Sequence, residues 1–173
     1  SGNTTTFRND PLNPKSLSSN WPNRIYKDPD GTIWISSPGG LNRFDDETQS
    51  FTRYVNIAND STSLAWNEIS ILYTDSKSNF WVCTYGGGIH LMNKERGTFT
   101  RFRSNDSDTT SLSGDIVTAI IEGDNNDLWI GTWDNRGVSR MNYQTKHCKR
   151  YLQGVTVGDI EKDSKGDLWV GAV

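Results

Sequence analysis

The segment DGTIWISSPGGLNRF, residues 30–44, decides the fold because related segments return three times further along the chain. The later copies are SNFWVCTYGGGIHLM at 78–92, NDLWIGTWDNRGVSRM at 126–141 and the shorter GDLWVGAV at 166–173. The tryptophans that they share are Trp34, Trp81, Trp129 and Trp169. Successive tryptophans are 47, 48 and 40 residues apart. A period of this size is typical of the blades of a β-propeller.

The composition limits the classes of partner. The chain has 173 residues, 18 basic and 21 acidic side chains, and a formal net charge of −3 at pH 7. Because binding along a phosphate backbone needs an excess of positive charge, no nucleic-acid partner is expected. The longest apolar runs, such as residues 117–121, have about five residues, whereas a membrane-spanning helix needs about 18. We therefore expect no membrane span within these residues.

Each repeat is interpreted as four short strands, the first two of which are joined by a hairpin turn. One position of that turn is held by Gly31, Ser78, Asn126 and Gly166 in the four repeats. Glycine and asparagine suit a turn residue with positive φ, so Ser78 is the exception. We expect Asn79 beside it to take that role.

The second and fourth strands have different patterns. The second strand, for example FWVC at 80–83, is apolar on both faces, which is typical of a sheet that is covered on both sides. The fourth strand alternates polar and apolar residues and carries Arg53, Arg101 or Arg150 at one position, which is typical of an outer edge strand. No segment of ten or more residues shows a helical period.

These patterns predict an all-β fold, a β-propeller segment of four-stranded antiparallel blades. A solenoid is the weaker alternative, because its repeats usually have only about 20–30 residues. The two cysteines, Cys83 and Cys148, fall on an inner strand of one repeat and an outer strand of another. We therefore expect two buried free thiols and no disulfide.

Four short motifs at fixed offsets identify a family resemblance: Ser-Leu, Asp-x-x-Gly, Leu-Trp-Ile-Gly and Gly-Gly-Leu-x-Arg. The units at 16–54 and 111–141 closely resemble the two-component regulator propeller repeat, which is found in the periplasmic sensor region of bacterial hybrid histidine kinases. The resemblance covers about residues 4–173. The departures from the pattern affect loops more than strands, and they are Pro38, Gly123 in place of Asp, the longer loop at 134–136 and the missing Ser-Leu at 152–159.

The repeats predict a single partial propeller domain over residues 1–173. Its blade repeats are at about 8–54, 55–102, 103–151 and, in part, 152–173, with residues 1–7 as the last strand of a preceding blade. Three complete blades and these partial ones are expected to belong to a seven- or eight-bladed ring. The resemblance implies an immunoglobulin-like domain, a membrane span and a kinase outside this sequence. Alternatively, two copies close one ring as a dimer, with TTTF (4–7) of one copy completing the unfinished blade of the other.

The sequence gives little indication of catalysis or metal binding. The motifs of zinc proteases, phosphate-binding loops and serine hydrolases do not occur. His90 holds the third-strand position of Asn42 and Ser139, and His147 lies in a predicted turn, so both are expected to be structural. Residues 28–31, DPDG, have the start of a calcium loop without its downstream glutamate, so they predict a hairpin turn. We expect no catalytic residue, metal or cofactor.

Aromatic residues mark one end of the predicted propeller as the binding face, where the connections before the first strand and after the second strand emerge. Aromatic rings flanked by amide and guanidinium donors suit a sugar. The alternative for Trp21 and Trp66 is packing between blades, as for Trp34. Trp133 departs from the repeat, as a site added to a fold would. The predicted ligand-binding residues are Trp21, Trp66, Tyr85, Trp133, Asp134, Asn135 and Arg136.

The resemblance implies a periplasmic sensor propeller of a hybrid two-component protein. Such a propeller recognises an oligosaccharide or other small ligand without catalysis and passes the signal through dimerised sensor regions to a cytoplasmic kinase. Two alternatives stay open. A propeller-type lyase needs an exposed histidine beside a carboxylate on the binding face, and a purely protein-binding propeller needs a hydrophobic patch there and no concave polar pocket.

Overall fold

The chain folds into consecutive antiparallel β-sheets, which we number as blades 1 to 4. The computed structural model describes residues 2 and 4–173. Blade 1 consists of β1 (Arg24–Lys27), β2 (Ile33–Ser37), β3 (Gly40–Asp45) and β4 (Ser50–Tyr54). Blade 2 consists of β5 (Ile69–Thr74), β6 (Phe80–Thr84), β7 (Ile89–Asn93) and β8 (Thr98–Phe102). Blade 3 consists of β9 (Val117–Glu122), β10 (Leu128–Thr132), β11 (Gly137–Met141) and β12 (Cys148–Tyr151), and blade 4 of β13 (Val157–Lys162) and β14 (Leu168–Ala172).

The strands of each blade pair in chain order, so every blade is a meander. Blades 1 to 3 have four strands and blade 4 has two. The register also repeats, since Trp34 of β2 pairs with Arg43 of β3, and Trp129 of β10 pairs with Arg140 of β11. Among the described residues the helical structure is one 3-10 turn at Asp124–Asn126. The all-β prediction and the propeller-type architecture are confirmed.

The core lies between successive blades. Trp34 of blade 1 stacks on Phe80 of blade 2, with ring centroids 4.7 Å apart. All five residues of β6 are buried, because blades 1 and 3 cover its two faces. The predicted burial of the second strand on both sides is therefore confirmed for blade 2. Blade 3 packs on blade 4 through a smaller cluster that includes Val138 and Ile160.

Burial of the repeated tryptophan differs along the chain. Trp34 and Trp81 are 1% and 0% exposed, whereas Trp169 of blade 4 is 66% exposed. Trp169 lies on a face that no other described strand covers, and the apolar surface there is correspondingly open. Within the described part of the chain, no helix has the length and apolar character needed to span a bilayer.

The turn between the first two strands has positive φ at the position that the repeat predicts. Gly31 and Gly166 have φ of 91°, and Asn126 has φ of 61°. Ser78 itself adopts φ of 62°, so the expectation that Asn79 takes this role is wrong. Asn79 instead donates hydrogen bonds from N and Nδ2 to Asp75, which holds the turn in shape.

The fourth strands form an edge of the sheets of blades 1 to 3, as predicted, but the segments before the first strands cover part of that edge. We call residues 10–18, 57–65 and 105–113 the approach loops. In blade 1, Phe51 N of β4 donates to Lys15 O in the approach loop, at 2.8 Å. The matching bonds run from Phe99 N to Thr62 O and from Cys148 N to Thr110 O. Covering an edge in this way limits pairing with another chain.

The repeated arginine of the fourth strand binds the same loop. Arg53 donates from Nε to Ser16 O at 2.6 Å and from Nη2 to Asn13 O at 2.9 Å. Arg101 and Arg150 make equivalent bonds to their own approach loops. Each guanidinium therefore donates hydrogen bonds to several carbonyl groups of the approach loop, which have no strand partner. The arginine thus has a structural role, which the edge-strand pattern did not predict.

The first residues of the chain lie beside blade 1. Ser1 and Asn3, which belong to the predicted strand at 1–7, lie outside the described residues. Residues 4–7 form no strand in this structure, and their assignment to a preceding blade stays a prediction. Phe7 instead packs edge-on against Phe44 and Phe51, with ring centroids 5.3 Å away in each case. Its contacts are with blade 1 itself.

Both cysteines are buried free thiols, as predicted. Cys83 lies in β6 and Cys148 in β12. Burial raises the pKa of Cys148 to about 12 and also raises that of Cys83. Neither thiol is therefore a reactive thiolate near neutral pH.

Candidate functional site

The predicted binding residues lie at one end of the blades, which we call the loop face. It is built from the β2–β3, β6–β7 and β10–β11 loops together with the segments that lead into the first strands. These parts contact one another directly: Tyr85 N donates to Glu68 O, and Trp133 N donates to Ile116 O, each at 2.9 Å. The β6–β7 and β10–β11 loops are thus each fixed to a neighbouring segment of the same face.

A polar residue of the third strand holds each approach loop in place. Ser18 N donates to Asn42 Oδ1 at 2.8 Å in blade 1. Ala65 N donates to His90 Nε2 at 3.0 Å in blade 2. In blade 3 the acceptor is Ser139 Oγ. The sequence position shared by these three residues is therefore a loop anchor.

His90 is structural, as predicted. It is fully buried, and Nδ1 lies 3.0 Å from Val82 O, so Nδ1 carries the proton while Nε2 accepts from Ala65 N. Burial lowers the pKa of His90 to about 4, against the opposing effect of the bond to Val82 O. The imidazole is neutral at pH 7 and both of its nitrogens are occupied. His147 lies exposed in the β11–β12 turn, away from the loop face.

Trp66 forms a platform on the loop face. A Cβ atom at Gly86 would lie 3.5 Å from Trp66 Cδ2 and Cε2, so the indole rests directly on the backbone of the β6–β7 loop. A Cβ atom at Gly87 would lie 2.9 Å from Trp66 Cβ. The side chain is still 49% exposed. Glycines at these two positions therefore let the loop support the indole from below.

A cavity of about 330 Å³ adjoins this platform. Its lining residues come from blade 1 and from the segment before β5, and they are Pro38, Asn56, Ala65, Trp66, Asn67 and Glu68. Asn67 Oδ1 accepts from Asn56 N at 2.5 Å, which leaves the Nδ2 donor of Asn67 for a ligand. The volume is within the range of about 300–1,000 Å³ that is usual for small-ligand sites.

Trp21 and Tyr85 are placed differently from Trp66. Trp21 is 78% exposed, so within the described part of the chain no two blades enclose it as blades 1 and 2 enclose Trp34. Tyr85 is 44% exposed and its backbone pairs with Ile116. Neither side chain lines the cavity beside Trp66. Ligand binding at these two residues stays a prediction.

The loop that carries Trp133 is a tight hairpin. Asp134 and Asn135 have φ of 56° and 57°, and Arg136 N donates to Trp133 O at 3.2 Å, which is the pattern of a type I′ turn. The turn conformation accounts for Asp134 and Asn135, because short polar residues tolerate positive φ. Arg136 Nη1 pairs with Asp106 Oδ1 at 2.7 Å. Trp133 remains 42% exposed beside this turn.

The structure thus brings one of the seven predicted residues, Trp66, to the cavity on the loop face. The sequence reasoning missed Pro38, Asn67 and Glu68 as neighbours of Trp66. Asn67 matches Asn20 and Asp115, which accept the same kind of backbone bond, so no deviation from the repeat marks it. At these three positions the repeat pattern does not distinguish a residue that lines the cavity from one that only holds the loop.

The DPDG segment at 28–31 is a hairpin turn, as predicted. Asp28 is buried and pairs with Lys94 of blade 2, and its Oδ1 accepts from Thr74 Oγ1 at 3.1 Å. Asp30 Oδ2 also pairs with Lys94, at 2.8 Å, and this bond lowers the pKa of Asp30 to about 2. Among the described residues, no group of three or more histidine, cysteine, aspartate or glutamate side chains is arranged to hold a metal ion.

Residues 16–39 and 111–134 match the model of the family described as Two component regulator propeller. The resemblance identified from the Ser-Leu, Asp-x-x-Gly and Leu-Trp-Ile-Gly motifs is therefore confirmed. No curated protein matches the chain.

Solved structures with the same fold include the extracellular domains of two putative hybrid two component systems. The extracellular domain of a putative hybrid two component system from B. thetaiotaomicron is 29% identical, with a TM-score of 0.77, over 95% of this chain and 23% of that one. A second such domain from the same organism is 24% identical, with a TM-score of 0.72, over 90% of this chain and 22% of that one. The chain thus spans less than a quarter of the length of these domains.

A lyase shares the fold. Virginiamycin B lyase from Staphylococcus aureus is 17% identical, with a TM-score of 0.61, over 86% of this chain and 48% of that one. At this level of identity the likeness concerns the propeller architecture alone.

Proposed function

We propose that this chain, which carries repeats of the two component regulator propeller family, is part of the periplasmic sensor of a hybrid two-component protein. In this proposal the chain recognises an oligosaccharide without cleaving it. The signal then passes to a kinase that lies elsewhere in the whole protein.

The sensor role is supported by the similarity to the extracellular domain of a putative hybrid two component system, which extends over 95% of this chain at 29% identity. An extracytoplasmic position follows for the chain if it shares that role. The coarser conclusion, a sensor-type propeller outside the cytoplasm, is supported by this similarity together with the family motifs.

The ligand class is supported by one observation, the half-exposed indole of Trp66 beside a cavity of about 330 Å³. A sugar ring offers C–H groups that pack on an aromatic face, and its hydroxyls accept from donors such as Asn67 Nδ2. Glu68 supplies a carboxylate that accepts bonds from further hydroxyls. The glycine backbone below Trp66 fixes the ring before a ligand arrives, which reduces the entropy lost on binding.

The lyase alternative depends on an exposed histidine beside a carboxylate on the loop face. His90 is fully buried and bonded through both nitrogens, and His147 lies in the β11–β12 turn. We therefore favour binding without catalysis. A reducing-end assay on each oligosaccharide that binds checks this choice, since new reducing ends formed by the chain would support the lyase instead.

The experiment is calorimetric titration of the chain with neutral tetrasaccharides such as cellotetraose and xylotetraose. We expect one of them to bind, and we expect Trp66→Ala to weaken that binding about tenfold because a stacked ring is lost. Trp169→Ala is the control, since it removes an exposed tryptophan of blade 4 that does not line the cavity. Equal affinity of Trp66→Ala and the parent chain would remove the cavity from the proposal, and failure of all oligosaccharides to bind would overturn the ligand class.

A further inference from the structure

Blade 3 differs from its sister blades at the end opposite the loop face. We call this end the turn face, because the hairpin turns between first and second strands and between third and fourth strands lie there. The latter turn begins with Asp-Asp-Glu at 45–47 in blade 1 and Asn-Lys-Glu at 93–95 in blade 2. In blade 3 it begins with Asn-Tyr-Gln at 142–144, so the charged side chains are replaced by amides and one phenol.

The first turn of blade 3 departs from the repeat as well. It contains the 3-10 turn Asp124–Asn126, in which Asn125 and Asn126 both have positive φ, of 60° and 61°. Two consecutive non-glycine residues in this region carry a conformational cost. Asn126 Nδ2 donates to Glu122 Oε1 at 2.9 Å and so holds the turn. Asn125 holds the turn position of Asp30, Lys77 and Lys165 in the other blades, so at this position a charged side chain is replaced by an amide.

A cavity of about 480 Å³ opens between these two turns and Lys77 of blade 2. Its lining side chains are mostly hydrogen-bond donors. They comprise four amides and two cations, namely Asn125, Asn126, Asn142, Gln144, Lys77 and Arg140. A site with this many donors and little apolar surface suits a small ligand that is both hydroxylated and anionic.

The carboxylate in the cavity is already occupied. Asp127 is 6% exposed, and its Oδ2 accepts from Arg140 Nε at 2.8 Å. Its Oδ1 accepts from Tyr143 N at 3.2 Å. Asp127 therefore fixes Arg140 through Nε and leaves the two Nη groups of the guanidinium for a ligand. Two cations and one carboxylate leave one positive charge in the lining, which matches a singly charged carboxylate better than a phosphate dianion.

Tyr143 positions the second cation. Lys77 Nζ lies 3.7 Å from the centre of the Tyr143 ring, and Lys146 Nζ lies 4.2 Å from it. Tyr143 OH accepts from Asn79 Nδ2 at 3.0 Å, which ties the ring to blade 2. Because ammonium groups occupy the ring, Tyr143 does not act as a stacking platform. Lys77 forms no ion pair within the described part of the chain, so its charge is free to meet a ligand.

We propose that this cavity on the turn face of blade 3 binds a sugar acid, a small polyhydroxylated molecule with one carboxylate. The carboxylate is bound by Lys77 and by the Nη groups of Arg140. The amides of Asn125 and Gln144 bind the hydroxyls, while Asn142 holds the turn, because its Oδ1 accepts from Gln144 N and Thr145 N. The site is separate from the Trp66 cavity, and it does not depend on the function proposed for the loop face.

The test is titration of the chain, followed by NMR, with D-glucuronate, D-glucose and D-glucose 6-phosphate at constant ionic strength. We expect glucuronate to bind saturably, and glucose at least about tenfold more weakly, because the charge-assisted hydrogen bonds are lost. Lys77→Met keeps the aliphatic stem over Tyr143 and removes the charge, so it should weaken glucuronate at least about tenfold. The chain's own control is Lys165→Met, because Lys165 holds the same turn position in blade 4 outside the cavity.

Each outcome decides the proposal. The proposal is supported if glucuronate binds saturably, if Lys77→Met weakens this binding, and if Lys165→Met and Trp66→Ala leave it unchanged. Equal affinity for glucose, an unaffected Lys77→Met variant, or no saturation at about 5 mM ligand overturns it. Tighter binding of glucose 6-phosphate overturns the choice of a singly charged carboxylate. Loss of glucuronate binding in Trp66→Ala would assign the ligand to the loop face instead.

Discussion

Blades 1 and 2 follow the same repeat, yet they use the same aspartate in different ways. Asp75 in blade 2 stays within its own turn, where it accepts hydrogen bonds from Lys77 N and Asn79 N and, at 2.9 Å, from Trp81 Nε1. Asp28 in blade 1 turns to the next blade and pairs with Lys94. Both carboxylates are almost fully buried, at 5% and 3% exposure.

This difference between the two aspartates changes the hydrogen bonding of the repeated tryptophan. Trp81 Nε1 has its partner, whereas Trp34 Nε1 is buried without a hydrogen-bond partner among the described residues. An unsatisfied buried donor costs about 1–3 kcal/mol, and the contact between blades offsets this cost in blade 1. The aspartate at this position of the repeat can therefore stabilise the turn of its own blade, as Asp75 does, or pair with the next blade, as Asp28 does. A single carboxylate does not make both sets of contacts.

The largest effect is expected for Asp75→Ala. The substitution leaves Trp81 Nε1 and two backbone N–H groups without their acceptor, which should lower the free energy of unfolding by about 3 kcal/mol. Urea unfolding followed by tryptophan fluorescence measures this loss. Asp163→Ala is the matched control in blade 4, where Trp169 is 66% exposed and water replaces the acceptor. Equal losses in the two variants would show that burial does not set the value of this bond.

The second prediction concerns the loop anchor, for which blade 1 uses Asn42 and blade 2 uses His90. The folded-state pKa of His90 is about 4, below its unfolded value of 6.5, so the unfolded chain binds the extra proton first. The stabilising contribution is complete above pH 6.5 and falls as the pH drops from 6.5 to 4, by about 3 kcal/mol at most. Urea midpoints across this range measure it.

The variant His90→Asn carries the residue of blade 1 into blade 2 and should remove most of that slope, since an amide keeps both hydrogen bonds and does not titrate. His147→Asn is the control, because that imidazole is exposed. If the parent chain and His90→Asn lose stability equally between these pH values, His90 is not the group that titrates.

A smaller effect is expected from the ion pair between blades 1 and 2. A double-mutant cycle with Asp28→Asn and Lys94→Met should give a coupling energy of about 1–2 kcal/mol in the free energy of unfolding, because Asp28 is buried and charged. The pair Asp124 and Lys162 joins blades 3 and 4 in the same manner, but the Asp124 side chain is 79% exposed. Its coupling energy should be smaller and more sensitive to salt.

The smallest effect concerns Asp30, which shares Lys94 with Asp28. The bond to Lys94 holds the folded-state pKa of Asp30 at about 2, below its ordinary value of 3.8. This contribution to stability is present above the unfolded pKa and is lost as the pH falls through about 2. In Lys94→Met the pKa should rise toward 3.8, which a carbon-detected NMR titration of the carboxyl follows. An unchanged pKa would mean that Thr32 N alone determines it.

The strands and most turns could be predicted from the sequence, because the period of the tryptophans and the apolar second strands depend on local pattern alone. The hairpin position of Gly31 followed from its need for positive φ, while Ser78 showed that the backbone imposes this conformation on an unfavourable residue. The contact of Asp28 with Lys94 could not be predicted, since it joins residues 66 positions apart across two blades.

The candidate site was only partly predictable. Aromatic residues in the loops indicated the end of the blades where the Trp66 cavity lies, but the exposure of each ring depends on what packs beneath it. Trp66 rests on Gly86 and adjoins a cavity, whereas Trp21 is 78% exposed and lines no part of it. The cavity on the turn face had a sequence signal in Asn-Tyr-Gln at 142–144, which breaks the charged pattern of its sister turns.

The arginines of the fourth strands bear on how such a chain grows in evolution. Arg53 binds Ser16 O, 37 positions earlier, and Arg101 and Arg150 reach back 38 and 39 positions in the same way. A gene segment that encodes one approach loop and the four strands after it therefore encodes both partners of this contact. Duplication or deletion of that segment leaves no arginine and no loop without its partner, so blade number can change without repair elsewhere in the protein.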